Sequence, residues 1–231
     1  MTGLRVSRQL VILPIMALLL FLWTPKTGLA YSYTPLVKCD FEGETPLICN
    51  NATATVSSID TGSPINGLAS AYATWEGGIT QIIDFNTPLT VPNEGFTVAF
   101  RFKRTNSGWW LSGGIKLNDN SILQFSNSDS GRLMQNTEDY WWPINGWGTY
   151  NLSDYWVIGN YGSTGVTFYN NNLEWASPYH GRGTWDYKDF TTNKPKSFEF
   201  FSGNYPVLYD DFQVFDHILT EGEREQLVET G

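Results

Sequence analysis

The sequence predicts an all-β protein, an antiparallel sandwich of two sheets that ends in one short helix. Short runs of alternating apolar and polar residues recur along the chain, and "EGFTVAFRFKR" is the clearest of them. Turn-forming residues separate these runs, as in "TPLTVPNEG" and at the three asparagines 170–172. Helical signals are confined to the last dozen residues. Together these features are typical of an antiparallel sandwich.

The first 30 residues have the plan of a secretory signal peptide. Two arginines precede an apolar run from Leu10 to Trp23, and Gly28 and Ala30 supply small residues before a cleavage site. The run is 14 residues long, whereas a spanning helix needs roughly 20. We therefore expect cleavage after Ala30 and a single domain over residues 31–231, with retention as a short amino-terminal anchor as the alternative.

The clearest predicted strand is "EGFTVAFRFKR". Phe96, Val98, Phe100 and Phe102 alternate with polar or small residues, which predicts a strand with one buried face. The other predicted strands lie in the segments "GITQIIDF", "SILQFS", "YWVIGNYGSTGVTFYNNNLEWAS", "KSFEFFSG" and "PVLYDDFQVFD". The stretch "EDYWWPINGWGTYN", residues 138–151, is too irregular for a strand and too broken for a helix.

The single predicted helix closes the chain in "LTEGEREQLVETG". Thr220 with Glu223 three residues later forms a capping box, and Glu221 and Glu223 favour the positive end of the helix dipole. Because the helix is short, packing of Leu227 and Val228 has to hold it.

Charge and cysteine content narrow the classes of partner. Without the three basic residues of the leader, the chain carries a net charge of about −12, which repels nucleic acid and anionic lipid. We expect neither a nucleic-acid partner nor stable membrane insertion after cleavage. The only two cysteines, Cys39 and Cys49, predict a local disulfide in an exported protein.

The segment "LYDDFQVFDHILTEGEREQL" resembles the closing strand and helix of laminin-G-like domains, which belong to the concanavalin A-like lectin/glucanase superfamily. Three further segments resemble that family in the expected order: "CDFEGETP" as an opening strand, "EGFTVAFRFKR" as a core strand and "YWVIGNYGSTGVTFYNNNLEWAS" as a hairpin. The resemblance covers residues 36–231 and is weakest between 104 and 154. It implies a jelly-roll sandwich.

Catalytic motifs of the superfamily are not found in the sequence. The glycoside hydrolases of this fold place Glu-x-Asp-x-x-Glu on one strand, and no such string occurs here. His180 and His217 do not lie in a lyase-like set, and there is no Gly-x-Ser-x-Gly or zinc motif. We therefore predict a protein that is not an enzyme, with a divergent glycoside hydrolase or polysaccharide lyase as an alternative.

The resemblance also implies a structural calcium ion, the one cofactor that we expect. Related jelly rolls hold it between an acidic residue near the amino terminus and an aspartate of the closing strand. The corresponding residues, here called the acidic set, are Asp40, Glu42, Asp210 and Asp211. Oxygen ligands suit calcium, but the same carboxylates can equally accept hydrogen bonds from turn amides.

Several aromatic residues outside the clean strand patterns suggest a sugar-binding surface. Pyranose rings stack on indole and phenol rings while nearby amides and carboxylates bond the hydroxyls. We call these residues the aromatic platform: Trp109, Trp110, Tyr140, Trp141, Trp142, Trp147, Trp185 and Tyr187. The competing interpretation is that they pack in the core or cover a sandwich edge, as expected for Trp75, Trp156 and Trp175.

The sequence thus predicts a noncatalytic domain, secreted or associated with a cell surface, that binds an extracellular glycan or glycoprotein. A structural or adhesive protein of a cell surface or virion is the alternative from another class, because the same aromatic residues would then form a protein interface. The sequence leaves the ligand and the oligomeric state open.

Overall fold

The computed structural model describes residues 34–42, 47–56, 58–62, 64–67, 69–73, 79–104, 111–126, 132–135, 138–141, 155–171, 173–176, 188–202 and 207–231. They lie within one compact unit, Tyr33–Gly231, and form two antiparallel sheets and a carboxyl-terminal helix. The predicted all-β fold class with one short helix is therefore confirmed. None of the described helical residues belongs to a segment long and apolar enough to cross a membrane.

The strands are β1 (Val37–Cys39), β2 (Leu47–Cys49), β3 (Ala52–Val56), β4 (Ser58–Asp60), β5 (Ser70–Ala73), β6 (Ile79–Phe85), β7 (Gly95–Arg104), β8 (Leu111–Leu117), β9 (Ile122–Ser126), β10 (Arg132–Gln135), β11 (Glu138–Trp141), β12 (Tyr155–Gly162), β13 (Gly165–Asn170), β14 (Leu173–Ala176), β15 (Pro195–Ser202) and β16 (Val207–Phe215). The helix α1 is Glu221–Thr230. The first sheet has the order β14-β13-β12-β7-β16-β5-β4, with β1 also paired to β16. The second sheet has the order β11-β10-β9-β8-β15-β6-β3-β2.

Aromatic side chains fill the space between the two sheets. Phe100 of the first sheet meets Phe198 and Phe200 of the second at centroid distances of 5.7 and 5.1 Å, in edge-to-face geometry. Tyr209 packs against Phe200 at 3.9 Å. All four side chains are fully buried, and aromatic pairs in this geometry add to the stabilisation from burial. The interlocked rings therefore join the two sheets.

The central strand β7 is buried on both faces, whereas its alternation predicted one buried face. Phe96, Val98 and Phe100 point between the sheets as expected, but Thr97 and Ala99 are also fully buried. The cause is a second hydrophobic cluster on the outer side of the first sheet, in which Ala99 packs with residues of β12, β16 and α1. The alternation of β7 could not predict this burial, because the helix that covers its outer face comes from a distant part of the sequence.

The predicted capping box of α1 is confirmed. The backbone N–H of Glu223 donates to the Thr220 hydroxyl at 3.4 Å, and the backbone N–H of Thr220 donates to Glu223 Oε2 at 2.8 Å. Leu227 is buried in the second cluster, with Trp156 beside it. The helix thus closes the outer face of the first sheet, and Trp156 covers that sheet as predicted.

Two sequence expectations about strands need correction. Residues Glu138–Trp141, expected to be too irregular for a strand, form β11 and pair in register with β10 from Arg132↔Trp141 to Gln135↔Glu138. A partner strand can impose extended geometry on a sequence without clear alternation. The opening strand is Val37–Cys39, so it precedes most of "CDFEGETP". The chain leaves β16 just after it, where Phe41 has a positive φ of 51°.

Candidate functional site

The outer faces of the two sheets differ in what lies on them. Over the first sheet, α1 and the segment that leads to it are fastened by polar contacts as well as by the second hydrophobic cluster. The Leu219 backbone N–H donates to Thr97 Oγ1 at 2.9 Å, and Asn160 Nδ2 donates to the Leu219 carbonyl at 3.2 Å. Arg224 donates to that same carbonyl at 2.8 Å. Much of this face is therefore closed by the protein's own chain.

A small cleft remains at the rim of this closed face. Its lining includes Asn160, Thr164, Thr167, Tyr169 and Ile218. The Asn160 amide oxygen already lies 2.7 Å from the Thr97 hydroxyl, and its nitrogen donates to Leu219. The buried polar group of the cleft is thus used to hold the fold.

The outer face of the second sheet holds an ion pair between a buried carboxylate and a partly exposed lysine. On β15, Phe198 and Phe200 point into the core, so alternation directs the intervening Glu199 to the outer face. Glu199 is nevertheless only 3% exposed. Lys116 Nζ of the neighbouring strand β8 lies 3.5 Å from Glu199 Oε1. Glu199 Oε2 is also buried and has no hydrogen-bond partner in the part of the chain that the structure describes.

Strand register identifies the neighbours of Glu199 across this face. Ile82 of β6 is opposite Glu199 on one side and Gly114 of β8 on the other. The row continues through Gln124 of β9 and Met134 of β10 to Asp139 of β11. Gly114 carries no side chain, which is typical of a place where a ligand or another backbone comes close to a sheet. The row therefore places a buried glycine beside a buried carboxylate.

Most of the aromatic platform lies outside the described residues, namely Trp109, Trp110, Trp142, Trp147, Trp185 and Tyr187. Tyr140 and Trp141 are in β11, an edge strand of the second sheet. Trp141 is two residues from Asp139 along this strand. The strand register places Asp139 in line with Glu199 across the sheet. The exposure of the platform remains a prediction, whereas the backbone of these two residues belongs to the sheet that carries Glu199.

The acidic set lies where β1 and β16 meet the segment that leads into β5. Asp210 Oδ2 accepts hydrogen bonds from the Ser70 hydroxyl at 2.7 Å and from the Asn66 backbone N–H at 3.2 Å. Glu42 Oε1 accepts from the Ala69 backbone N–H at 3.4 Å. Glu42 and Asp210 therefore hold the same segment from two elements.

The other two members of the acidic set have separate local partners. Asp211 Oδ2 accepts a hydrogen bond from Asn66 Nδ2 at 3.1 Å and lies 3.9 Å from Arg101 Nη1. Asp40, which is exposed, accepts a long hydrogen bond from the Glu42 backbone N–H at 3.4 Å. Among the described residues, no three His, Cys, Asp or Glu side chains are grouped closely enough to hold a metal ion. Bonding to turn amides, one of the two sequence interpretations, is thus observed.

Burial makes Asp210 the most perturbed carboxylate of this set. Loss of solvent raises the pKa of Asp210 to about 7, and the neighbouring Asp211 charge adds to the rise. The hydrogen bonds from Ser70, Asp211 and Asn66 oppose the rise without cancelling it. The side chain is 1% exposed. Asp210 therefore resists ionisation at a pH where an ordinary aspartate is fully charged.

The predicted disulfide joins Cys39 at the end of β1 to Cys49 at the end of β2. Since β1 pairs with the first sheet and β2 with the second, the bond ties the two sheets together at one margin of the sandwich. Its loop separates the cysteines by only 10 positions. The prediction of a local disulfide is confirmed.

Sequence reasoning missed Glu199 and Lys116. The signal was available in "KSFEFFS", where one glutamate stands between phenylalanines that alternate into the core. Alternation alone predicts an exposed glutamate there. The burial of Glu199 and its pairing with a lysine 83 positions earlier depend on the order of strands in the sheet.

No protein-family model matches the chain, and no curated protein matches it. Among solved structures, domain 4 of the extracellular arabinanase AbnA from Geobacillus stearothermophilus, in complex with arabinotriose, is similar with a TM-score of 0.53 and 17% identity. The match covers 85% of this chain and 98% of that domain.

Two larger proteins contain a similar sandwich. The binding domain of botulinum neurotoxin serotype D has a TM-score of 0.57 and 12% identity over 84% of this chain and 50% of its own. A Trypanosoma rangeli sialidase has a TM-score of 0.58 and 11% identity over 89% of this chain and 34% of its own. This chain thus spans half or less of those two chains. At such identities the similarity concerns the fold alone, which is a β-sandwich.

Proposed function

We propose that the protein is a secreted, noncatalytic, laminin-G-like domain that binds an extracellular carbohydrate or glycoprotein on the outer face of its second sheet. The observation that carries the proposal is the pairing of buried Glu199 with partly exposed Lys116 on that face, opposite the face that α1 closes. The likeness to an arabinanase domain in complex with arabinotriose supports it, because the match covers nearly that entire domain.

The chemistry of this face suits a saccharide. Half-buried Ile82 offers an apolar contact, and the carboxylate and ammonium groups of Glu199 and Lys116 offer an acceptor and a donor beside it. Sites for sugars combine apolar surface with a few placed polar groups of this kind. The aromatic platform, two of whose residues lie in the edge strand β11, would supply stacking surface.

Replacement of the platform tryptophans tests this function. We expect Trp141→Ala and Trp142→Ala to weaken glycan binding about tenfold or more, because each change removes a large stacking surface. Binding is measured by calorimetry on a ligand identified from a glycan array, with circular dichroism to verify folding. Thr164→Ala, an exposed change near the first sheet, is the control and should bind like the unchanged protein.

Two outcomes would replace the proposal. Self-association that rises with protein concentration, with no glycan bound, would favour a structural or adhesive protein. Release of reducing sugar from a bound polysaccharide would show a catalytic protein instead of a noncatalytic one.

We propose, second, that calcium binds at the acidic set. Glu42 and Asp210 approach the segment 66–70 from two elements, and a side chain at Gly67 would collide with the Glu42 carboxylate. Gly67 also has a positive φ of 59°, so the segment is shaped around that carboxylate. Carboxylate oxygens of this kind suit calcium. Glu42 and Asp210 are the residues that would hold the ion.

The calcium proposal predicts a stabilisation that depends on Glu42. We expect saturating calcium to raise the melting temperature by about 5 °C or more relative to chelator, since an ion that binds only the folded state stabilises it by mass action. Differential scanning fluorimetry measures the shift. Glu42→Gln should abolish it, and Glu229→Gln, an exposed change on α1, should retain it. An unchanged melting temperature in calcium and in chelator would exclude the site.

A further inference from the structure

We propose that Glu199 accepts a hydrogen bond from the bound ligand and that it thereby selects saccharides that are neutral or carry an ammonium group. Saccharides with carboxylate or sulfate groups would be rejected. The inference rests on the proposed function and goes beyond it, because it names the residue that determines the charge class of the ligand.

The first argument is the unequal use of the two Glu199 oxygens. Oε1 has Lys116 Nζ at 3.5 Å, while Oε2 is buried without a hydrogen-bond partner among the described residues. Buried polar atoms in native proteins are nearly always hydrogen-bonded, because desolvation is costly without compensation. Oε2 therefore needs a donor, and a ligand on this face would provide it.

The second argument is the composition of the neighbouring positions. Gly114 of β8 lies next to Glu199 and adds no side chain to this row, and Ile82 on the other side is a half-buried apolar residue. A ring that rests over Gly114 and Ile82 would bring one of its donors to Glu199. A hydroxyl or an ammonium is the chemistry that fits, since both donate to a carboxylate.

The third argument is the charge around the site. Asp84 is exposed and opposite Ser197, so it is a diagonal neighbour of Glu199 on the same face. Glu199 and Asp84 therefore place two carboxylates in neighbouring rows of this face. Lys116 is the one base in the described part of these rows, and Glu199 already pairs with it. A carboxylate or sulfate brought to this place would face uncompensated negative charge.

The test compares four probes on the full chain as processed by the expressing cell. They are arabinotriose, a chitosan oligomer with free amines, a polygalacturonate oligomer and sialyllactose. We expect binding to arabinotriose or to the chitosan oligomer, and at least about tenfold weaker binding to both acidic probes, because their carboxylates would meet the negative charge of Glu199 and Asp84. Binding to chitosan that disappears above the amine pKa would identify the ammonium as the donor, while binding to arabinotriose would identify a hydroxyl.

Glu199→Gln decides whether Glu199 causes this selection. It retains the size of the side chain but removes the charge, so we expect about tenfold weaker binding of the preferred probe and a smaller difference from the acidic ones. Its melting temperature should change little, because the cost of burying the Glu199 charge and the gain from its pairing with Lys116 are lost together. Glu229→Gln is the matched control, and it should leave both affinity and selection as they were.

The outcomes separate the two proposals. Preference for an acidic probe, or Glu199→Gln with full affinity, would overturn the role of Glu199 and leave glycan recognition intact. A lower melting temperature together with unchanged affinity would assign Glu199 to stability, with its second donor supplied by water or by another part of the chain. No binding to any of the four probes or to an array would overturn the proposed function together with this inference.

Discussion

Phe198→Ala is expected to lower the free energy of unfolding by about 3–5 kcal/mol, the range for truncation of a buried aromatic side chain. Phe198 is fully buried, and its ring lies 5.7 Å from Phe100 and 5.1 Å from Phe212 of the first sheet. It also meets Phe200 on its own strand at 4.7 Å. The change would leave a cavity across the junction of the two sheets, where neither sheet can relax alone.

Urea denaturation monitored by tryptophan fluorescence measures this effect. Phe198→Leu is the matched control and should cost roughly 1–2 kcal/mol, because it retains most of the apolar volume. A loss for Phe198→Ala that does not exceed the loss for Phe198→Leu would contradict the role of the ring in joining the sheets. Since Glu199 follows Phe198 on β15, we also expect Phe198→Ala to weaken ligand binding in the same preparation.

Chelator-treated protein is expected to lose about 2–4 kcal/mol of stability as the pH rises from 4 to 7, on account of Asp210. The pKa of Asp210 is about 7 in the folded protein and close to 3.8, its ordinary value, after unfolding. Between these two values the folded state binds the proton more tightly, so removal of protons favours unfolding. One pKa unit corresponds to about 1.4 kcal/mol, which sets the upper limit near 4 kcal/mol.

The slope of stability against pH is the quantity to measure, by urea denaturation at several pH values. Asp210→Asn should flatten the slope between pH 4 and 7, although it lowers stability throughout because its amide nitrogen cannot accept hydrogen bonds from Asn66 and Ser70. Asp84→Asn, an exposed change on the second sheet, should retain the slope. An Asp210→Asn curve parallel to the original would rule out Asp210 as the cause.

His217 also contributes to the dependence of stability on pH, and its contribution can be separated from that of Asp210. Burial lowers the pKa of His217, but hydrogen bonds to Asp216 at 2.9 Å and Glu223 at 3.1 Å outweigh burial and leave the pKa raised. A raised pKa gives stability that is present below the unfolded value near 6.5 and is lost as the pH rises through the folded value. The stability that His217 contributes is lost at higher pH than most of the stability that Asp210 contributes. The dependence of stability on pH in Asp210→Asn therefore shows the His217 contribution by itself.

The fold was predictable because its signals are local. Alternation located β7 and β15, the capping box located α1, and the asparagines at 170–172 located a hairpin turn in which Asn171 adopts a φ of 53°. The strand β11 was missed because its extended form depends on β10. Local sequence carries no record of such a partner.

The candidate site was harder to predict for the same reason. The local sequence predicts that Glu199 is an ordinary exposed strand residue. Only the order of strands in the sheet shows that Lys116 and Gly114 lie next to it. The acidic set, in contrast, was predicted from a family resemblance that concerns the opening and closing strands. In the structure, Glu42 and Asp210 both accept hydrogen bonds from the segment that leads into β5. Residues that meet through distant pairing are recovered only when the topology is known.

The pairing of β1 with β16 has a consequence for the order in which the protein forms. Val37 is opposite Val214, and the Leu36 backbone N–H donates to the Val214 carbonyl at 2.7 Å, so β1 pairs with the strand that lies farthest from it in sequence among the described strands. Such distant contacts make folding slow, because a long loop must close before they form. The first sheet therefore stays incomplete until β16 has been synthesised, and β1 lacks its partner strand until then.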